Sequence, residues 1–448
     1  MTSVAQQLPT VGSSIEITPA ASAAERGGRI GAVDGARGAA ILLVMLHHFS
    51  MYGHGLSPSG LFIDRLYYRL TDAGTVGVDL FLVVSGFLIT GILYDTKQSK
   101  RYFRNFYARR VLRIFPLYYC ALLLFLIVLP RLLPDHWGVQ MMTRDATWYW
   151  TYLVNLKIAH DGWPAFGALG HFWSLALQEQ FYLVWPVVIL AFNRRQLQFV
   201  CVLCIAGALA LRVLLSVQGN TAAAFVLTPA RIDDIAVGAY IAIAARGPGG
   251  LQSLTRLAKL SAPLLGLALV VTFVARRGFA GYDPVVLTMG RTLIAFFFGA
   301  VLVLALTSAR HSNIVRASES RILRFFGKYS YGMYIFHHPM LFFKVGILPL
   351  TIVPMVYGSQ LPRQLVYLLV ATAVSVALGV ASWHLVEKPF LNLTKLFPYL
   401  RSRADADSRT LPSGPTPVAK RDASVSPPRP GELPVGAQSI LLTVDHVP

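Results

Sequence analysis

The chain has 448 residues; 55% are hydrophobic, only 14% are charged, and the formal net charge is +19. A soluble domain carries about 25% charged residues, so this composition excludes a globule that faces water all round, and a mean hydropathy of +0.55 agrees. The basic excess lies between apolar runs, where it acts on membrane topology and on lipid headgroups, so nucleic acid is excluded as the partner it would indicate in a soluble chain.

Residues 1–28 are polar, with Ser, Thr and Ala, and lack the basic start and apolar centre of a signal peptide. They are expected to form a disordered, uncleaved tail. The first apolar run follows at about residues 35–53 and contains RGAAILLVMLHH, from Arg37 to His48. An α-helix turns about 100° and rises about 1.5 Å per residue. His48 therefore falls within about 20° of the direction of Arg37 and about 16 Å further along, while His47 points about 80° away. Polar groups at two depths on one face of a spanning helix are costly and mark function. Snorkelling of two helix-end residues is the plainer alternative.

A second run covers residues 75–94 (TVGVDLFLVVSGFLITGILY), and a basic connector with seven Lys or Arg leads to a third at about 115–130. A loop of about 40 residues then carries Trp137, Trp148, Trp150 and Trp163, as expected near headgroups. The fourth run covers about 173–192, and further ones lie at about 197–216, 230–245, 258–275, 288–307, 331–350 and 363–385. Apolar runs of about 20 residues read as spanning helices. The expected fold is all-α: a polytopic membrane bundle of about ten transmembrane helices over residues 29–395, with a second disordered tail over 401–448 that is rich in Pro, Ser, Asp and Arg. Cys201 and Cys204 have redox or zinc spacing but no second ligand pair, and in their apolar run they read as inert buried thiols.

Ten spans put both termini on one side of the bilayer. Connectors 2–3, 4–5, 6–7 and 8–9 carry seven, two, three and five Lys or Arg, against about seven in all the opposite connectors together. By the positive-inside rule both tails are cytoplasmic.

Polar clusters recur in or beside the spans. Arg110 and Arg113 stand at i, i+3 at the head of the third span and share a face. Two guanidiniums so placed suit a phosphate; positive-inside anchoring is the alternative. The fourth span opens with His171-Phe-Trp173-Ser174, and Ser174, Gln178 and Tyr182 follow at steps of four on one face, with Glu179 beside them. Asp79 in the second span, Arg231 and Asp233 in the sixth, Tyr334 and His337 in the ninth and Glu387 at the exit of the last repeat the pattern. Polar residues of both signs on at least five spans imply a shared polar cavity. No cluster has metal-ligand spacing, so no metal is expected.

The Arg37-x10-His48 run preceded by Asp34-Gly35, the GVDLFLVVSGFLIT span, RRVLRIFPLYY and HFWSLALQEQFYLVWP occur in that order. Arg231-Ile-Asp233 with Gly238, KYSYGMYIFHHP and the terminal VEKPF complete the series. On these motifs, over about residues 29–395, the chain resembles the acyltransferase-3 family of integral membrane O-acyltransferases. The resemblance implies transfer of an acyl group, often acetyl from acetyl-CoA, onto a hydroxyl of a carbohydrate or other cell-surface acceptor. It puts the family's histidine at His48 and its basic pair at Arg110 and Arg113. One position departs: the family usually has a carboxylate where this chain has Gln178, and Glu179 is turned about 100° from it.

The expected reaction follows. Acyl-CoA enters from the cytoplasm with its phosphates on Arg110, Arg113 and Arg37, and His48 takes the proton of the attacking hydroxyl. Trp173, Ser174 and Tyr334 are candidate oxyanion donors, Ser174 and Ser85 candidate acyl carriers, and Glu179 a candidate catalytic carboxylate. Asp79, His171, Gln178, Arg231, Asp233 and His337 are expected to line the substrate cavity. The expected partners are a carbohydrate or lipid-linked glycan acceptor, the lipid bilayer and glycan assembly machinery, at a bacterial inner membrane. A transporter or flippase that uses the same polar cavity for passage is the rival reading.

Overall fold

The computed structural model describes residues 19–51, 59–163, 168–279, 281–309, 311–342 and 352–399. The expected tail over 401–448 and the latter part of the expected span at 331–350 lie outside them. Among the described residues the fold is helical, and the one β pairing is an isolated antiparallel bridge between Val356 and Ser359. The main helices are α1 (Pro19–Met51), α2 (Phe62–Asp72), α3 (Val76–Asp95), α4 (Tyr102–Leu123), α5 (Trp173–Ala191) and α6 (Arg194–Val217). They continue as α7 (Thr228–Ala244), α8 (Thr255–Arg276), α9 (Arg291–Thr307), α10 (Arg321–His337) and α11 (Leu361–Ser382).

Two expectations change. Residues 19–28, expected as part of the tail, belong to α1; the run PAASAAE places Pro at the first helical position and strong helix formers after it. Among the described residues, seven of the ten expected spans are long and apolar enough to cross a membrane. The first, the sixth and the described part of the ninth are helices but fall short. α7 and α10 have only 17 residues each, and α1 carries Asp34, Arg37 and both histidines.

Close packing fixes the helix directions. A Cβ on Gly86 would lie 2.0 Å from the Ile235 carbonyl oxygen, and one on Gly238 would lie 1.9 Å from that of Val83. Only glycine lets α3 and α7 approach backbone to backbone, the usual device where lipid supplies no hydrophobic drive for helix association. Gly35 and Gly38 on α1 abut the carbonyls of Ser318 and Leu323 in the same way, seating α10 parallel to α1. Ser85 meets Tyr182, and Thr90 meets Trp185, so α3 and α5 are also parallel. Tyr102 and Tyr107 reach back to the carbonyls of Pro186 and Leu183, so α4 runs against α5. The bundle therefore has one end where α1, α4 and α10 begin, rich in arginine, and an opposite end where α1 and α10 finish on histidines.

Candidate active site

A cavity of about 470 Å³ opens from the arginine end between α1, α3, α4, α5 and α10. Arg37, Arg109, Arg110, Arg113, Lys388 and Lys395 line it, and Glu179 is the one carboxylate among its lining residues. Arg37 donates from Nη2 to Ser330 Oγ at 3.0 Å, which holds the guanidinium across the α1–α10 interface. The guanidinium carbon of Arg110 lies 5.3 Å from the Tyr182 ring centre and 5.8 Å from that of Phe106, so aromatic faces orient it. Tyr182 donates to Gln178 Oε1 at 3.1 Å, and its hydroxyl is 2.5 Å from Ser85 Oγ. Gln178 and Glu179 both line the cavity despite the turn between them, because it reaches around more than one face of α5.

The inner end of the cavity is closed by Ser174 and Tyr334. Their hydroxyls lie 2.6 Å apart, and both can donate to the His171 carbonyl, at 3.3 and 3.2 Å. Behind this pair is a cluster of imidazoles. His337 Nε2 is 3.3 Å from His48 Nδ1. The ring centres of His48 and His338 are 5.0 Å apart, those of His171 and His338 4.8 Å, and those of His171 and His337 5.1 Å. Carbonyls fix the tautomers, since a carbonyl only accepts. His48 Nδ1 faces the Val44 carbonyl at 2.9 Å, His337 Nδ1 faces that of Tyr334 at 2.7 Å, and His338 Nδ1 faces that of Ala168 at 2.8 Å. In each neutral ring the proton sits on Nδ1, and Nε2 carries the basic lone pair. His47 faces Asp72, with Nδ1 3.6 Å from Oδ1, while its ring centre lies 5.0 Å from that of His48. Among the described residues no group of three or more His, Cys, Asp or Glu could hold a metal ion.

Seven of the residues expected at the cavity or its chemistry lie elsewhere. His48, His171 and His337 are behind the Ser174–Tyr334 pair rather than in the cavity; α1 and α10 carry His48 and His337 past it, and His171 sits in the turn Gly170–Phe172 before α5. Asp79, Arg231 and Asp233 form a buried ion network instead. Arg231 Nη2 is 2.8 Å from Asp79 Oδ1 and 2.8 Å from Asp234 Oδ2, and Arg291 Nη1 is 2.8 Å from Asp79 Oδ2. Arg212 grips Asp233 through both terminal nitrogens, at 2.8 and 2.6 Å, and also donates to Thr292 and the Ala230 carbonyl. Charges removed from water are tolerable only when paired in this way. Trp173, expected as an oxyanion donor, is not among the residues that line the cavity, and its ring lies 5.6 Å from the Arg231 guanidinium. The sequence reading missed Arg212, Arg291 and Asp234 as partners. A lone Arg in CVLCIAGALALRVLL, and another opening RTLIAFFFGA, were the available signals, since an ionisable residue within an apolar span requires a partner.

A family model described as an acyltransferase domain matches residues 30–380. The chain belongs to this acyltransferase family. Among its relatives, the peptidoglycan O-acetyltransferase OatA of Listeria monocytogenes is 25% identical over 333 residues, which cover 71% of this chain and 50% of the relative. The putative peptidoglycan O-acetyltransferase YrhL of Bacillus subtilis is 25% identical over 379 residues, covering 80% and 54%. The O-acetyltransferase OatA of Staphylococcus aureus is 26% identical over 302 residues, covering 63% and 49%. The chain thus spans about half the length of the curated relatives it matches. No solved structure matches it.

Proposed function

We propose that the chain is a membrane O-acetyltransferase that carries an acetyl group from acetyl-CoA, bound in the arginine-lined cavity, to a hydroxyl of peptidoglycan or a related cell-surface glycan at the histidine end. The observation that carries this reading is the placement of a cation-lined cavity and a tautomer-fixed imidazole cluster on the two sides of one Ser174–Tyr334 contact. Guanidiniums at the mouth match the phosphates of the donor, and the relatives named as peptidoglycan O-acetyltransferases supply the acceptor class.

In this reading Arg110, Arg113 and Arg37 hold the donor's diphosphate and the pantetheine arm points at Ser174 and Tyr334. The acceptor hydroxyl gives its proton to His48 Nε2, with His337 behind it, as its oxygen bonds to the thioester carbonyl carbon. The Ser174 and Tyr334 hydroxyls turn towards the developing oxyanion. The C–S bond then breaks, the sulfur takes the proton from the imidazolium, and the ester and free CoA leave by opposite ends. Ser174 has a tyrosine hydroxyl and a carbonyl as its hydrogen-bond partners, so it is read as an oxyanion donor and not as an acyl carrier. The orientation that goes with this function has the cavity mouth and both termini in the cytoplasm, the protein in the cytoplasmic membrane, and glycan assembly machinery as its neighbour.

Purified protein with acetyl-CoA and a muropeptide acceptor tests the proposal. Acceptor-dependent release of free thiol with formation of an acetyl ester is expected. Movement of acceptor across a vesicle membrane without thiol release would instead establish the transporter reading.

A further inference from the structure

The cations of the cavity belong to two groups, and the proposed reaction uses only one of them. Arg37, Arg110 and Arg113 project from α1 and α4. Lys388 and Lys395 come from the chain beyond the last span, in the short helix Lys388–Asn392 and the 3-10 turn Leu393–Leu396, and both line the same cavity. This segment is fastened down as a strap. Arg109 donates from Nη1 to the carbonyls of Thr394 and Phe397 at 3.3 and 3.2 Å, and Asn105 donates to that of Pro398 at 2.6 Å. The Arg104 guanidinium lies 5.5 Å from the Phe397 ring and that of Arg109 lies 4.4 Å from the Tyr399 ring. One stretch of α4 therefore presents Arg110 and Arg113 to the cavity and uses Arg104, Asn105 and Arg109 to hold the strap across its mouth. Neither lysine has an ion-pair partner among the described residues.

A cavity with two cationic loci, one on the spans and one on a fastened strap, fits a ligand whose phosphates are also in two places. Acyl-CoA is such a ligand, with a diphosphate in its linker and a separate phosphate monoester on the 3′ position of its ribose. We propose that Lys388 and Lys395 bind the donor's 3′-phosphate, and that Arg109 is the positioning residue that holds them at the mouth. The inference rests on acyl-CoA being the donor. It makes residues 388–399 the element that distinguishes acetyl-CoA from the same thioester lacking the 3′-phosphate.

The test compares KM for acetyl-CoA and acetyl-dephospho-CoA, read as free thiol released by purified full-length protein. The wild type is expected to favour acetyl-CoA by about tenfold or more, the order of a charge-assisted contact. Lys388→Ala/Lys395→Ala should bring the ratio of the two KM values to within about twofold of unity, each single alanine variant should lie between, and Lys388→Arg/Lys395→Arg should keep the preference. Arg109→Ala, which frees the strap, should reduce the ratio as the lysine pair does. Equal KM values in the wild type, or a preference that survives loss of both lysines, would overturn the proposal while leaving the donor reading intact. Vesicle titration with and without phosphatidylglycerol separates the other phosphate source. Lysine variants that lose affinity for that lipid but keep the KM ratio would assign the pair to headgroups and overturn the proposal. Thiol release from neither donor would sink the donor reading itself, and this inference with it.

Discussion

Replacing Asp79 by Ala offers the sharpest check on the buried charges. The network holds three carboxylates (Asp79, Asp233, Asp234) and three guanidiniums (Arg212, Arg231, Arg291), so its formal charge is zero. The paired side chains are at most 1% exposed. Asp79 alone accepts from two of the arginines, at 2.8 Å each. Removing it leaves a buried net charge of one, takes from Arg291 Nη1 its carboxylate acceptor, and leaves Arg231 Nη2 with Asp234. Breaking a buried pair by deleting one partner costs about 3–5 kcal/mol, a fall of about 150- to 4,000-fold in the folding equilibrium. Asp79→Ala should therefore give markedly less monodisperse protein after heating in detergent, measured by fluorescence-detected size exclusion. Asp79→Ala/Arg291→Met restores neutrality and should recover at least about half of the lost stability, because the two changes share one partner and cannot be additive. An Asp79→Ala protein as stable as wild type would refute the reasoning, as would a double variant less stable than the single one. A stable but inactive Asp79→Ala protein would move Asp79 from scaffold to substrate.

Three further outcomes are expected. His48→Ala should lower turnover by roughly 10²–10⁴-fold at saturating donor, whereas His47→Ala, which removes the contact to Asp72 at 3.6 Å, should keep most activity; the reverse result would reject the helix rotation. Arg110→Ala/Arg113→Ala should raise KM for acetyl-CoA by at least roughly tenfold with membrane insertion intact, and unchanged donor affinity in a folded double variant would assign the pair to anchoring. A reporter active only in the cytoplasm should work when fused near Arg321 and stay silent near Trp150, and activity at Trp150 would reverse the orientation and the side from which the donor enters.

Much of this arrangement was legible in the sequence, for reasons that local geometry explains. The 3.6-residue period put Arg110 and Arg113 on one face, and both line the cavity, since that inference needed only a single helix. The same period failed where the outcome depended on contacts between helices. It could not say that Arg231 would spend its charge on Asp79 and Asp234, or that Arg212, some twenty residues before Asp233, would bridge α6 to α7. It also gave no sign that Arg109 and Arg110, adjacent in sequence, would do different work. One fastens the strap, and the other enters the cavity beside Tyr182.

The helices that fall short as spans carry their polar groups because of where they sit. Apolarity sets how cheaply a segment can face lipid, not whether it does. α6 and the segment containing α8 are apolar enough to cross a membrane, and their leucines and valines turn outward. α7 falls short, yet its Arg231, Asp233 and Asp234 are fully buried and paired by α3, α6 and α9. α1 and α10, which also fall short, carry Arg37 and Ser330 at one end and His48 and His337 at the other, joined by the contacts between them. A helix enclosed by other helices can carry charge, because its neighbours supply the partners that lipid cannot. In α1, α7 and α10 low apolarity goes with polar groups paired inside the bundle, whereas the segment containing α3 is both strongly apolar and mostly enclosed.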